Sequence, residues 1–302
     1  MSLRRRDFLR ISGLGLAASP FAVRLSPGQR EGEAFRELRR NVGIFSARGG
    51  TIGWLINADG VVVVDSQFPD TARLCLDGIR SRSDRPIDAL INTHHHGDHT
   101  MGNGVFQGAA RSIVAHARVP ELQRRAASQS GDPDQQVYAE TTFDESWDLR
   151  VGDETVRAKH YGPAHTGGDA AIHFERANVV HMGDLVFNRL YPFIDRPSGA
   201  SIRGWIRLLE SVLGEHSNDT LFIFGHGLEP HGVTGSKADL ELQRDFFTVL
   251  LETTEKAVRD GRSKEDLSGI ESLPGFEGHV APVDWINLSA ALGVAYDELT
   301  VE

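Results

Sequence analysis

Four histidines and one aspartate stand within six consecutive residues of this chain, in the segment His94–His99. Packing alone does not explain such a cluster, because buried imidazoles lose hydration and repel each other when charged. A divalent cation removes that cost, since it binds neutral ring nitrogens together with carboxylates. On an extended segment His94, His96 and Asp98 point to one side, and a glycine turn then brings His99 towards a second position. The segment therefore predicts a metal site.

Two groups of strand-like segments, each followed by helices, predict the fold. The first group and its helices read as Asn41–Phe45, Thr51–Ile56, Val61–Asp65, a helix Pro69–Arg80, strands Ile87–Asn92 and Ser112–Ala115, and a helix from Ala117. The second reads as Phe143–Leu149, Thr155–Tyr161, Ala170–Phe174, Asn178–Met182, a helix Ser201–Leu213, a strand Leu221–Phe224, and a helix from Ser236 to Gly261. Each sheet must bury one face, so we expect an α/β fold of the four-layered αββα type, with two mixed sheets inside and helices outside.

The amino terminus differs from the rest of the chain in charge. The segment Arg5-Arg6-Asp7-Phe8-Leu9-Arg10 precedes an apolar run, Ile11 to Val23, and resembles a twin-arginine export signal. The run is too short to span a bilayer comfortably, which favours a targeting segment. We therefore expect residues 1–30 to be a signal peptide and linker, residues 31–302 to be one domain, and the protein to reach the periplasm through the twin-arginine export machinery.

The net charge of the 302-residue chain is −10, although its first 22 residues are basic. Nucleic-acid affinity rests mainly on lysine and arginine neutralising phosphates, so this acidic chain is not expected to bind nucleic acid. No stretch of eighteen or more apolar residues occurs, so stable membrane insertion of the mature domain is not expected either. A small-molecule substrate is the expected partner.

Three further segments accompany Thr93–His99, whose sequence THHHGDH has the form HxHxDH. They are Gly162–Asp169, Met182–Leu185 and Phe224–Gly227. In this order the four segments resemble the ligand segments of the metallo-β-lactamase superfamily of hydrolases. The resemblance covers roughly residues 42–261 and implies that family's fold. It also adds ligand candidates to those of the first segment, namely His165, Asp184 and His226.

The resemblance implies two metal positions that share Asp184. The ligand sets it implies are His94, His96, His165 and Asp184 for one metal, and Asp98, His99, Asp184 and His226 for the other. Two Zn²⁺ ions per chain are expected, with iron or manganese as alternatives. The implied reaction is hydrolysis of an ester, thioester, lactone or lactam bond by hydroxide held between the metals, with Asp98 orienting it as the catalytic residue. Asp65 is implied to support a ligand histidine.

Other functions stay open within this family. An aspartate, Asp184, stands where one major lactamase type has cysteine, and Phe187 stands where that type has a lysine for the drug carboxylate, so β-lactamase activity proper is a secondary alternative. A mononuclear iron persulfide dioxygenase keeps much of the same ligand set. A noncatalytic periplasmic module that binds a metal or a partner is the alternative from another functional class.

Overall fold

Two mixed β-sheets pack against each other in the computed structural model, which describes residues 34–130 and 136–300. Within these residues the first sheet has seven strands in chain order: β1 (Phe35–Arg39), β2 (Val42–Phe45), β3 (Ile52–Ile56), β4 (Val61–Val64), β5 (Ala89–Asn92), β6 (Ile113–His116) and β7 (Thr141–Phe143). Strands β1 to β4 form an antiparallel meander, and β4 to β7 run parallel.

The second sheet is built from the later half of the chain. Its strands are β8 (Ser146–Val151), β9 (Glu154–Lys159), β10 (Ala171–Phe174), β11 (Val179–His181), β13 (Leu221–Ile223) and β15 (Thr234–Gly235), with β12 (Phe187–Asn188) and β14 (His226–Gly227) forming a separate parallel pair. Strands β11 and β13 are parallel, and the other pairs of this sheet are antiparallel.

Alternation along the strands divides the apolar side chains between two layers. On β4, Val62 and Val64 belong to the core between the sheets, while Val61 and Val63 face the helices. Successive side chains of a strand point to opposite faces, and both faces of β4 are covered, so the strand reads as a continuous valine run. The inner core draws side chains from both sheets, for example Ile91 from β5 and Ile172 from β10. The sheets are thus joined by one apolar layer.

Helices cover the outer face of each sheet. Against the first sheet lie α1 (Pro69–Arg80), α3 (Asn103–Phe106) and α4 (Arg118–Ser130), and against the second lie α5 (Ile202–Glu215), α6 (Lys237–Arg259) and α7 (Leu288–Thr300); the one-turn helix α2 (Gly97–Thr100) follows β5. The chain's one cysteine, Cys75, is buried in α1, where burial raises the pKa of its thiol. Cys75 packs among the apolar side chains between α1 and the first sheet. No helix in the described part of the chain has the length and apolar character needed to cross a bilayer.

The expected four-layered αββα fold is confirmed, but several of its elements differ from those expected. The strand expected at Phe143–Leu149 is wrong as a single element, because the chain leaves the first sheet after β7 and enters the second at β8, through the exposed pair Asp144–Glu145. Strand β1 and helix α7 were not expected. The proposed signal peptide and the domain boundary at residue 30 lie outside the described residues.

Candidate metal centre

Loops and short turns that follow strands of both sheets carry the seven candidate ligands. His94 and His96 follow β5, Asp98 and His99 lie on α2, His165 lies on the β9–β10 loop, Asp184 lies in the 3-10 turn Gly183–Leu185 after β11, and His226 lies on β14. The structure brings all seven together at this junction. Because the contributing segments come from both sheets, the site depends on how the two halves of the chain pack.

Three imidazole nitrogens converge in the first ligand group. His96 Nδ1 lies 3.1 Å from His94 Nε2 and 2.9 Å from His165 Nε2. Asp184 Oδ2 lies 3.8 Å from His94 Nε2 and 3.6 Å from His165 Nε2. All four ligand atoms fall within 4.8 Å of one another. The side chains of His94 and His165 are each only 1% exposed, whereas that of His96 is 18% exposed, so solvent reaches this group on the His96 side.

Hydrogen bonds at the ring nitrogens that face away from the group fix the tautomers of His94 and His165, and so show where the lone pairs of these rings point. The Thr93 hydroxyl donates to Asp65 Oδ2 at 2.8 Å, so it must accept from His94 Nδ1, which lies 3.0 Å away. His165 Nδ1 donates to the Phe193 carbonyl oxygen at 2.7 Å. With a proton on each Nδ1, the neutral rings direct their Nε2 lone pairs into the group. A cation is the partner that such converging lone pairs require.

The third histidine is held by a carboxylate that the sequence did not indicate. His96 Nε2 lies 3.0 Å from Asp195 Oδ2, which places a proton on Nε2 and leaves the lone pair on Nδ1. His95, for which the sequence indicated only a structural or surface role, lies beside His96 and approaches the same oxygen, with its Nε2 at 3.6 Å from Asp195 Oδ2 and 3.3 Å from the Ser198 hydroxyl. Asp195 lies thirty residues beyond His165 in a loop, and no spacing signal connects it to the histidines.

The second ligand group gathers around the other oxygen of Asp184. Asp184 Oδ1 lies 3.0 Å from His99 Nε2 and 3.3 Å from His226 Nε2. Asp98 Oδ2 lies 3.2 Å from His226 Nε2 and 3.9 Å from His99 Nε2. One carboxylate therefore faces both groups, with Oδ2 towards the first and Oδ1 towards the second.

Asp65 supports the site from beneath, as the sequence resemblance implied. It is fully buried at the end of β4, and its Oδ2 lies 2.7 Å from His99 Nδ1. Its Oδ1 accepts a hydrogen bond from the Thr93 backbone N–H at 2.8 Å. The backbone of Asp65 has φ +65°, a left-handed conformation that is unfavourable for a residue with a Cβ. The contacts to Thr93 and His99 hold it there.

The electrostatics of the two groups differ, except at His96 of the first group: burial would lower its pKa, but the hydrogen bond to Asp195 and the charge of Asp195 raise it. Burial lowers the pKa of His165 to about 3 and that of His94 well below its ordinary value, so both rings are neutral. Burial acts the same way on His99 and His226, but the charges of Asp184 and nearby carboxylates outweigh it and raise the pKa of His226 to about 9 and that of His99 well above normal. The second group thus attracts positive charge, which a metal ion supplies when it displaces the protons.

Two glycines allow backbone to approach the ligands closely. A Cβ on Gly50 would lie 2.1 Å from the His99 ring, and a Cβ on Gly225 would lie 2.0 Å from Asp184 Oδ1. Side chains at either position would displace a ligand. Sequence reasoning missed both residues, because their contacts join segments that are far apart in the chain.

Comparison with known proteins places this geometry in a family. A family model described as the metallo-beta-lactamase superfamily matches residues 47–240 of the chain. This range includes all seven candidate ligands.

The individual proteins that resemble this chain share only a small part of its sequence with it. The 2,4-dinitroanisole O-demethylase subunit alpha of Nocardioides sp. (strain JS1661) is 30% identical over 42% of this chain and 38% of its own length. Metallo-beta-lactamase IND-1 of Chryseobacterium indologenes is 22% identical over 57% of this chain and 70% of its own. Among solved structures, the inverting sec-alkylsulfatase Pisa1 from Pseudomonas sp. matches 88% of this chain and half of its own at a TM-score of 0.67 and 16% identity, which shows a shared fold. The chain thus spans half or less of the length of two of these three proteins.

Proposed function

The chain belongs to the metallo-β-lactamase superfamily of metal-dependent hydrolases, and on that premise we propose that it uses two cations to cleave an ester, thioester, lactone or lactam bond in a small molecule. The observation that carries this proposal is the position of Asp184. Its Oδ2 faces the nitrogens of His94 and His165, while its Oδ1 faces those of His99 and His226. A single buried carboxylate can therefore supply negative charge to two adjacent cations.

The donor set fits zinc. His94, His96, His165 and Asp184 would hold one ion, and Asp98, His99, His226 and Asp184 would hold the other, so each position has three imidazole or carboxylate donors of its own. Mixed nitrogen and carboxylate sets of this kind suit Zn²⁺, with iron and manganese as rivals. When bound, such ions polarise the bond to be cleaved and lower the pKa of a coordinated water towards neutrality.

Asp98 is the residue we assign to orienting the attacking water. Its side chain is 18% exposed, compared with 5% for Asp184 and none for Asp65, so it is the most accessible carboxylate of the three. Burial alone would raise its pKa, but His99 and His226 hold that pKa at about 2. The carboxylate is ionised in the metal-free protein, and a bound cation would favour the same charged form, so Asp98 could accept a hydrogen bond from the water and orient it.

The test is metal quantification joined to a hydrolysis panel on the same purified sample. The panel contains ester, thioester, lactone and β-lactam substrates. It also contains 2,4-dinitroanisole and a secondary alkyl sulfate, because two of the similar proteins are named for those compounds. We expect two zinc ions per chain, turnover in the first group of substrates, and loss of turnover on chelation with recovery on adding zinc.

Three results would contradict the proposal. Full activity with one metal per chain would remove the second metal position. One iron per chain with oxygen-dependent oxidation of a persulfide would assign the dioxygenase alternative. No turnover on any substrate in fully loaded protein would favour a noncatalytic module that binds a metal or a partner.

We also propose that the protein is exported to the periplasm by the twin-arginine machinery and that its mature domain neither inserts into the membrane nor binds nucleic acid. The support is the segment Arg5–Arg10 with the apolar run after it, and the acidic charge of the rest of the chain. A reporter fused to residues 1–30 should be exported, and lysine at both Arg5 and Arg6 should block that export. Equal export of the doubly substituted fusion would show that the assignment is wrong.

A further inference from the structure

Phe193 lies directly beside the first ligand group. Its ring centroid is 5.4 Å from that of His96 and 6.1 Å from that of His165. Its backbone is fixed in place, because its carbonyl oxygen accepts the hydrogen bond from His165 Nδ1. Ile194, the next residue, is buried in the core. The ring therefore lies against the rings of His96 and His165 and forms one wall of the site.

Trp285 extends this wall outward. Its ring meets the ring of Phe193 edge to face, with centroids 5.4 Å apart and an interplanar angle of 86°. Trp285 is nevertheless 54% exposed, the highest value among the exposed large hydrophobic residues of the described chain. Tryptophan gains more free energy from burial than most side chains, so an exposed one in contact with a ring of the site offers aromatic surface that a ligand can cover.

The backbone around Trp285 is anchored on both sides. Upstream, Val280 pairs with the segment before Phe193, through hydrogen bonds from the Tyr191 N–H to the Val280 carbonyl oxygen at 3.0 Å and from the Val280 N–H to the Arg189 carbonyl oxygen at 3.2 Å. Downstream, Ile286 is only 4% exposed and belongs to the core. The segment that carries Trp285 is therefore held at both ends, and this backbone path places the tryptophan ring at the surface.

The rim beside Asp98 is chemically different. There the Gly50 N–H donates to the Asp98 carbonyl oxygen at 3.0 Å, and Arg48 nearby places its guanidinium 4.1 Å from the centre of the Phe68 ring. Arg48 also pairs with Asp70 at 2.5 Å. The apolar ring on this rim is thus already covered by a charged side chain of the protein, whereas Trp285 presents open aromatic surface.

We propose that Phe193 and Trp285 form an aromatic platform that binds an aromatic ring of the substrate while the bond to be cleaved lies over the metal ligands. This inference rests on the proposed function and narrows the substrate to small molecules that carry an aryl group. Aromatic pairs favour edge-to-face or offset stacking at centroid distances of about 4.5–7 Å, and the platform offers both a ring face and a ring edge. The apolar area of one aryl group is enough for about tenfold tighter binding.

The test compares two ligands that carry the same carboxylate, one on an aryl group and the other on a methyl group. Naphthalene-2-carboxylate and acetate are titrated calorimetrically into zinc-loaded protein, and the ratio of their Kd values isolates the aryl contribution. In the wild type we expect naphthalene-2-carboxylate to bind about tenfold or more tightly than acetate. Trp285→Ala should remove most of this preference and leave acetate binding unchanged, while Trp285→Phe should keep most of it.

A matched control is Leu74→Ala, which removes an exposed apolar side chain on α1, 43% exposed, that has no part in the site. It should leave the ratio at the wild-type value. Circular dichroism checks that Trp285→Ala is folded. A wild-type ratio near one, an unchanged ratio in Trp285→Ala, or an equal loss in Leu74→Ala would overturn the platform.

Failure of the platform and failure of the hydrolase assignment give different results. If no panel substrate is turned over but naphthalene-2-carboxylate binding depends on Trp285, the platform stands and the hydrolase assignment fails. If aryl and methyl esters are hydrolysed with equal kcat/KM in both the wild type and Trp285→Ala, the hydrolase stands and the platform is overturned. If both hold, Trp285→Ala should raise KM for the aryl ester about tenfold with little change in kcat.

Discussion

At the scale of single residues, the direction of each ring proton determines what the site can bind. The outer nitrogens of three ligand histidines hydrogen-bond to the Phe193 carbonyl oxygen, to Asp195 and to Asp65. Each of these bonds turns the inner nitrogen of its ring towards a cation position. The ligands could be predicted from sequence because they occur in motifs. Their supports could not, apart from Asp65, because a carboxylate in a loop acquires this role only through folding.

Asp195 provides a prediction at this scale. Asp195→Ala should weaken zinc binding by about 10 to 100-fold, because His96 loses the partner that fixes its tautomer and orientation. Asp195→Asn is the control, since its amide oxygen can still accept from His96 Nε2 and should restore most of the affinity. Competition with a zinc-binding dye measures both. Wild-type affinity in Asp195→Ala would show that Asp195 serves only the turn that follows it, where its Oδ1 accepts a hydrogen bond from the Ser198 backbone N–H at 3.2 Å.

At the scale of elements, helix α5 packs directly under the loop that carries His165. Trp205 of α5 is fully buried, its ring centroid lies 5.5 Å from that of His165, and its Nε1 donates to the Leu185 carbonyl oxygen at 2.8 Å. Gly204 beside it allows close contact, because a Cβ there would lie 2.0 Å from the Pro163 carbonyl oxygen. Helix α5 carries no metal-ligand candidate, but its packing positions the loop that carries His165.

Two glycines of α5 test this packing against each other. Gly204→Ala should destabilise the fold by about 1–3 kcal/mol, since the methyl group meets backbone that must move, and it should also weaken zinc binding. Gly214→Ala adds the same methyl group at a helical position with open space, so it should be neutral or stabilising by up to about 1 kcal/mol. Urea unfolding with a zinc titration measures both effects. Equal stability of the two variants would contradict the packing argument.

The sequence predicted some elements well and others poorly, for physical reasons. Helix α1 has the expected bounds Pro69–Arg80, because proline begins it and its apolar face is periodic. The split between β7 and β8 was missed, because a change of sheet leaves no mark on the alternation of side chains. Helix α7 was missed as well. It is stabilised by packing against α6, and a contact between two separate helices cannot be predicted from the residues of one of them.

At the scale of the whole molecule, burial also affects histidines far from the metal ligands. His173 on β10 is 6% exposed and stacks on His216 with ring centroids 4.9 Å apart. Burial, followed by the nearby His216, lowers the pKa of His173 to about 3. In the unfolded chain the same group has its ordinary pKa near 6.5. Between these two pKa values the unfolded state therefore binds more protons than the folded state.

Stability should fall as the pH drops from about 6.5 towards 3, by up to about 1.4 kcal/mol per pH unit for this group. His173→Gln removes the titrating group, so its free energy of unfolding should depend less steeply on pH in that window. Urea unfolding of metal-free wild type and variant at pH 6.5, 5.5 and 4.5 measures the two slopes. Equal slopes would mean that His173 is already protonated in the folded protein.

The central claim is that one carboxylate, Asp184, serves two cations, and Asp184→Asn tests it most directly. This change nearly preserves side-chain size but removes the negative charge that faces both ligand groups. Metal content and turnover should be measured on the same samples, with Asp65→Asn as the comparison, since Asp65 contacts His99 and neither cation position. We predict two metals and turnover in the wild type, reduced turnover in Asp65→Asn, and at most one metal with no turnover in Asp184→Asn. Two metals and wild-type turnover in Asp184→Asn would contradict the account.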